Sequence, residues 1–134
     1  MEKRCPGFLL IVEDEERLRE LVAHFLRGEG FQVVEAADGP EGVDRFRELG
    51  PFDLVMVDLN LPGFSGVEVC RRVRAIHAAQ RLMVCSAAVL EDHENDLAAI
   101  GVNHFLTKPY HPLELIDHIT LEIAGTVTGD MPCR

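Results

Sequence analysis

Residues 8–16 read FLLIVEDEE, five apolar side chains running directly into four carboxylates with no basic residue among them. A short, continuously apolar run is what a strand buried on both faces requires, and here the strand delivers charge at its carboxyl end. Adjacent acids repel one another, and partial shielding from water raises both the repulsion and the cost of desolvation. Either a compensating charge stands nearby or the acids point different ways.

The same kind of run recurs along the chain. FQVVEAA (31–37), FDLVMV (52–57), RLMVCSA (81–87) and VNHFLT (102–107) read as four further strands. The first, third and fourth runs are nearly continuous in apolar character and are therefore expected at the centre of a sheet, with the second and fifth at its edges.

Between the runs the period changes. Leu18, Leu21, Val22, Phe25 and Leu26 keep helical spacing, and Gly28 and Gly30 supply a stop. Asp38, Pro40 and Glu41 read as N-cap, early helical proline and capping-box acid of a helix carrying Val43, Phe46 and Leu49, which Gly50 and Pro51 end. Ser65 with Glu68 predicts another capping box, opening a helix through Val69, Val73 and Ile76. A fourth helix is expected over roughly 90–100, and a fifth from Pro112 through Leu113, Ile116, Ile119 and Ile123.

Strictly alternating β and α units predict one doubly wound α/β domain, a five-stranded parallel sheet with helices on both faces and right-handed crossovers. At 134 residues and 47% hydrophobic composition, the chain has enough apolar mass for a single core. In such folds ligands bind outside the carboxyl ends of the strands. The first strand ends in Glu13 and Asp14, the third in Asp58, the fourth in Ser86 and the fifth in Lys108 followed by Pro109.

Three carboxylates, a hydroxyl and an ammonium on one sheet edge suit phosphoryl transfer. Carboxylates are hard oxygen donors of the kind Mg²⁺ takes, and a carboxylate can attack phosphorus to give an aspartyl phosphate. The rest of the chemistry is in-line positioning and neutralisation of charged oxygens. Taken singly, Glu13-Asp14 could solvate a loop, Asp58 could form a turn and Lys108 could be a surface lysine; their joint placement carries the functional reading.

The segments LLIVEDEE, LVMVDLNLPGFSG, MVCSAA and FLTKPY, in this order at spacings of one βα unit, resemble the response-regulator receiver domain of bacterial two-component signalling. The resemblance runs from about residue 8 to residue 124, leaving 1–7 as an N-terminal extension and 125–134 as a flexible tail. It implies a flavodoxin-like strand order, 2-1-3-4-5. It further implies that Asp58 accepts a phosphoryl group from a phosphohistidine on a sensor histidine kinase or a histidine phosphotransfer protein. Mg²⁺ would be held by Glu13, Asp14, Asp58 and the backbone carbonyl of Asn60, with Ser86 and Lys108 on the phosphoryl oxygens. The Lys108-Pro109 bond is cis in relatives. Ser86 and Phe105 would form the switch, altering the face made by the fourth helix, fifth strand and fifth helix, and Asn60 and Ala88 would set the phosphoryl lifetime.

Some positions depart from the pattern. The switch aromatic is Phe105 rather than Tyr, so it carries no hydroxyl. The fifth helix has no Lys or Arg, and none follows Lys108 before Arg134, which argues against the ion-paired dimer of DNA-binding relatives. A haloacid-dehalogenase type phosphohydrolase would need an acid two residues after the nucleophile, where this chain has Asn60. The alternative that stays open is a pseudo-receiver, an interaction module that is not phosphorylated; such modules lose site residues that this sequence retains. The domain would act as no conventional enzyme beyond its own phosphorylation and the hydrolysis of its aspartyl phosphate.

The formal net charge of −10 argues against direct nucleic-acid binding. Cys5, Cys70, Cys85 and Cys133 form no CxxC pair, so no zinc or redox motif is signalled. The six histidines are read as structural or exposed. No segment suits a signal peptide or membrane span, and the expectation is a cytoplasmic protein, acting alone or as part of a longer regulator.

Overall fold

The computed structural model describes residues 6–86, 94–102 and 104–124. The expected extension before residue 6, the tail from 125, the beginning of the fourth helix over 90–93, and Ala88 lie outside the described residues. Strands and helices alternate: β1 (Phe8–Val12), α1 (Glu16–Gly28), β2 (Gln32–Ala36), α2 (Gly39–Leu49), β3 (Leu54–Asp58), α3 (Gly66–Ile76), β4 (Leu82–Ser86), α4 (Glu94–Ala99), β5 (Phe105–Thr107) and α5 (Pro112–Ala124). All pairings are parallel and the order is β2-β1-β3-β4-β5.

The centre of the sheet is where its apolar content places it. Every residue of β3 and β4 is buried, whereas β2 and β5 keep partly exposed positions. Side chains of the central strands alternate between two cores, as the two-residue strand period requires. Leu10, Val12, Val55, Val57 and Val84 meet Val43, Phe46, Val69, Val73 and Leu97 of α2, α3 and α4 on one face. Leu9, Ile11, Leu54, Met56, Met83 and Cys85 meet Val22, Ala23, Leu26, Leu115 and Ile119 of α1 and α5 on the other. Each such fully buried aliphatic side chain contributes roughly 1.5–3 kcal/mol.

The helical spacing overstates burial at several positions. Leu21 and Leu113 are 62% and 63% exposed. The α1 helix seats Val22, Ala23 and Leu26 on the sheet and turns Leu21 outward, and Leu113 lies in the first turn of α5, before that helix reaches the core.

Caps position the loops around the carboxyl edge. Asp38 Oδ1 accepts from Glu41 N at 2.8 Å, and Glu41 Oε1 accepts from Ala37 N at 3.2 Å, so the acid reaches back across the start of α2. The expected box at Ser65 is only half made. Ser65 Oγ accepts from Glu68 N at 3.4 Å, while the Glu68 carboxylate turns to Arg71 and Arg72 on its own helix. Two guanidiniums within reach outcompete one backbone N–H, and they hold the Glu68 carboxyl below its ordinary range, chiefly through the hydrogen bond from Arg72.

Gly66 brings the start of α3 against the end of β3. A Cβ there would stand 2.4 Å from the Asp58 carbonyl oxygen and 2.8 Å from Leu59 Cα. Gly66 N donates to Leu59 O at 2.9 Å, closing the loop that follows Asp58.

Sequence did not signal the role of Gln80, which is 1% exposed. Its Oε1 accepts from Phe52 N at 2.9 Å and its Nε2 donates to Arg81 O at 2.9 Å, tying the approach to β3 to the approach to β4. A buried amide is retained because both its ends are satisfied.

Candidate functional site

Glu13, Asp14, Asp58, Ser86 and Lys108 come together at the carboxyl edge, carried by β1, β3, β4 and β5. Register explains the convergence: Val12 pairs with Val57, Asp58 with Cys85, and Ser86 with Thr107, so the four strands end at one level. Glu13 and Asp58 are buried at 5% and 7% exposure and Ser86 is fully buried, whereas Asp14 is exposed. The Lys108 N–H donates to the Ser86 carbonyl at 2.9 Å, so the lysine's backbone is fixed to the strand beside it. The Lys108–Pro109 bond is cis, as is Gly50–Pro51.

The Lys108 ammonium bridges two of the acids. It donates to Asp58 Oδ2 at 3.1 Å and also to Glu13 Oε1. The second oxygen of each acid is held by backbone: Asp58 Oδ1 accepts from Asn60 N at 3.2 Å and Glu13 Oε2 from Glu15 N at 3.2 Å. Glu15 is the N-cap of α1 and Glu16 its first residue. The four acids of the opening motif therefore divide, two into the site and two onto a helix start whose dipole favours negative charge.

One ammonium does not balance the buried charge. Burial, followed by the nearby Asp58, pushes the Glu13 carboxyl up to about 7 even against the opposing hydrogen bond from Lys108. Burial pulls the Lys108 ammonium down, but its hydrogen bond to Glu13 and the charges of Asp58 and Glu13 outweigh this and leave it above its ordinary value.

Carboxylate oxygens of Glu13, Asp14 and Asp58 lie within 4.8 Å of one another. Hard oxygen donors at that spacing, with a surplus of negative charge, fit a hard divalent cation.

Two contributors went unnoticed in the sequence. Arg19 Nη1 donates to the Glu13 carbonyl at 3.0 Å, fixing the strand end from α1, and Arg19 Nε lies 3.4 Å from Glu35 Oε1. Tyr110 lines the site with Glu13, Asp58 and Cys85 on one side and borders an open cleft with Glu15, Leu18, Lys108 and Pro109 on the other. Burial raises its hydroxyl, so it stays protonated. The helical period assigns Arg19 to a polar face and nothing in the spacing after Lys108 marks Tyr110, so neither had a sequence signal. Phe105 pairs in register with Val84 and is partly buried against the core of the α2, α3 and α4 face.

A family model described as the response regulator receiver domain matches residues 9–120. The chain belongs to the response regulator receiver domain family. Over 114 residues this receiver domain is 40% identical to the sensory transduction protein RegX3 of Mycolicibacterium smegmatis, covering 83% of this chain and 48% of that protein. It is 36% identical over 111 residues to the DNA-binding response regulator MtrA of Mycolicibacterium paratuberculosis, with the same coverages. The receiver domain thus spans about half the length of the curated relatives it matches. Among solved structures, the chemotaxis protein CheY4 of Vibrio cholerae superposes with a TM-score of 0.80 at 26% identity, over 86% of this chain and 97% of that one. Among the described residues of this receiver domain, no helix is long and apolar enough to cross a membrane.

Proposed function

We propose that this receiver domain accepts a phosphoryl group on Asp58 from a phosphohistidine of a sensor histidine kinase or a histidine phosphotransfer protein, with Mg²⁺ as the cation. The observation that carries the reading is the Lys108 ammonium, bonded to Asp58 Oδ2 at 3.1 Å and shared with Glu13. An acceptor carboxylate, an ammonium bonded to it and the acids for a metal are thereby grouped at one edge of the sheet.

An Asp58 carboxylate oxygen attacks phosphorus in line, the new O–P bond forms as the P–N bond to imidazole breaks, and the departing imidazole nitrogen takes up a proton. Lys108 stays with the charge as it moves onto the phosphoryl oxygens, and the Ser86 hydroxyl donates to one of them. Backbone N–H groups at Asn60 and Glu15 keep the acids aimed while this happens. Glu13, Asp14, Asp58 and the Asn60 carbonyl would hold Mg²⁺, which when bound supplies neutralisation of the phosphoryl oxygens.

Movement of Ser86 toward the phosphoryl group opens space for Phe105, whose ring moves inward and alters the face of α4, β5 and α5 that a downstream partner reads. Asn60 and Ala88 flank the path of the hydrolytic water and set the lifetime. The place of action is the cytoplasm, and for this chain itself the formal charge of −10 argues against contact with a phosphate backbone.

Intact mass measurement after acetyl phosphate and Mg²⁺ tests the reading, with Asp58→Asn in parallel. One added phosphoryl group in the wild type and none in the variant is the expected result. No gain in the wild type, under conditions that label a known receiver, would favour the pseudo-receiver; undiminished gain in the variant would remove Asp58 from its role.

A further inference from the structure

At the opposite end of β5 from Lys108, two histidines that the phosphoryl chemistry does not use are bonded in series. His104 immediately precedes β5, and His118 and Glu122 stand one turn apart on α5. His104 Nδ1 bonds Glu122 Oε1, and His104 Nε2 lies 2.8 Å from His118 Nδ1. Arg81, ahead of β4, reaches the other Glu122 oxygen with Nη1 at 3.3 Å. The His104 and Glu122 side chains are 19% and 20% exposed, sheltered but open to protons.

Proton counting fixes what this chain can do. An ionised carboxylate only accepts, so the His104 Nδ1 proton points at Glu122. With His104 neutral, its Nε2 accepts and the His118 Nδ1–H donates. With His104 cationic, its Nε2–H donates and neutral His118 accepts. The contact therefore survives one proton beyond the neutral pair, on either ring. A second places N–H against N–H and breaks it.

The gap suits a proton and not a metal. The ring centroids are 5.1 Å apart with planes at 76°. That separation exceeds the 2.8 Å between nitrogens by the depth of the two rings, so the nitrogens face each other along the line of centroids. Lone pairs aimed at one another do not converge on a shared point about 2.0–2.1 Å from each nitrogen, as zinc requires.

We propose that His104, His118 and Glu122 form a proton-operated latch between β5 and α5, closed while the two rings carry at most one proton beyond neutrality and open when both are cationic. Among the described residues, the titratable and charged groups facing His104 are His118 and Glu122 from α5 and, through Glu122, Arg81 from the turn before β4. Arg81 holds the second Glu122 oxygen and so keeps that carboxylate aimed at His104; histidine side chains as a class change charge between about pH 5 and 8, the window in which the opening is sought. Phe105, the first residue of β5, follows His104 directly, so the latch grips the segment that carries the proposed switch. That link to signalling rests on the proposed function; the latch does not.

The test follows the full chain by hydrogen exchange and by ring-nitrogen NMR between pH 8 and pH 5. The two rings are expected to titrate in two separated steps, and the protection of α5 amides relative to α1 to fall about fivefold at the second, the change that a hydrogen bond's ordinary net worth implies. His118→Gln, whose amide bonds but does not titrate, abolishes that fall. Flat α5 protection in the wild type, or the same fall in His118→Gln, would overturn the latch. Should the variant not fold, independent titration of the two rings in the wild type, each as an exposed histidine, overturns it equally.

Discussion

The Lys108 ammonium and the Asp58 carboxylate, 50 residues apart in sequence, meet at 3.1 Å across the carboxyl ends of β5 and β3. The same ammonium holds Glu13, so one side chain at the end of an edge strand bonds two buried acids carried by two inner strands of the sheet. Replacing it with Met keeps the length and removes the charge. A charge-assisted hydrogen bond is worth about 1.5–3 kcal/mol, so Lys108→Met is expected to slow phosphoryl uptake roughly 10–100-fold. The time course of intact mass with acetyl phosphate reads this directly, and an unchanged rate would take Lys108 out of the chemistry.

Glu13 makes stability depend on pH in a direction opposite to that of most carboxylates. Its folded value, about 7, lies above its ordinary 4.5, so between these limits the native state binds the extra proton and the unfolded chain does not. The stabilisation is fully present below the unfolded value and is lost as pH rises through about 7. Without divalent cations, Tm is expected to fall from about pH 5 to pH 8, and Glu13→Gln to flatten that slope. A slope of the same size in the variant would assign it elsewhere.

Cation and proton compete for Glu13. A metal takes the ionised carboxylate, so the rise in Tm on adding MgCl₂ should be larger at pH 8 than at pH 6, and the difference should shrink in Glu13→Gln. Equal shifts at both pH values in the wild type would exclude Glu13 from the cation site.

Gly66 and Gly28 predict opposite outcomes for the same substitution. In Gly66→Ala the new methyl meets the Asp58 carbonyl oxygen, and either the start of α3 or the end of β3 must move. A loss of about 1–3 kcal/mol is expected, with slower phosphorylation because Asp58 shifts. Gly28, at the end of α1, has nothing within 4 Å of its added Cβ, and Gly28→Ala should stabilise by about 0.4–1 kcal/mol. Urea unfolding of both variants measures the sign and the size.

Gln80→Leu tests the buried amide. The change conserves bulk but leaves Phe52 N–H without its acceptor in the interior, for an expected loss of about 1–3 kcal/mol with the urea m-value unchanged. Because Gln80 lies at the amino ends of β3 and β4, phosphoryl uptake should be unaffected.

The sequence by itself determined the layering of this protein and the level at which its candidate site lies. Continuous apolar runs can be satisfied only by burial on both faces, which put β1, β3 and β4 inside, and residues that end such runs must emerge at one edge. Glu13, Asp58, Ser86 and Lys108 were legible for that reason. Tertiary structure alone decided which partners they took. The sharing of Lys108 between Glu13 and Asp58, the choice of Arg71 and Arg72 over the capping box by Glu68, the reach of Arg19 to the Glu13 carbonyl, and the series Glu122, His104, His118 all depend on side-chain directions and on competition among several donors for one acceptor. Hydropathy carries no record of that competition: a periodic pattern says which face is buried, while a hydrogen bond is settled over a few tenths of an ångström between residues brought together only when the sheet has formed.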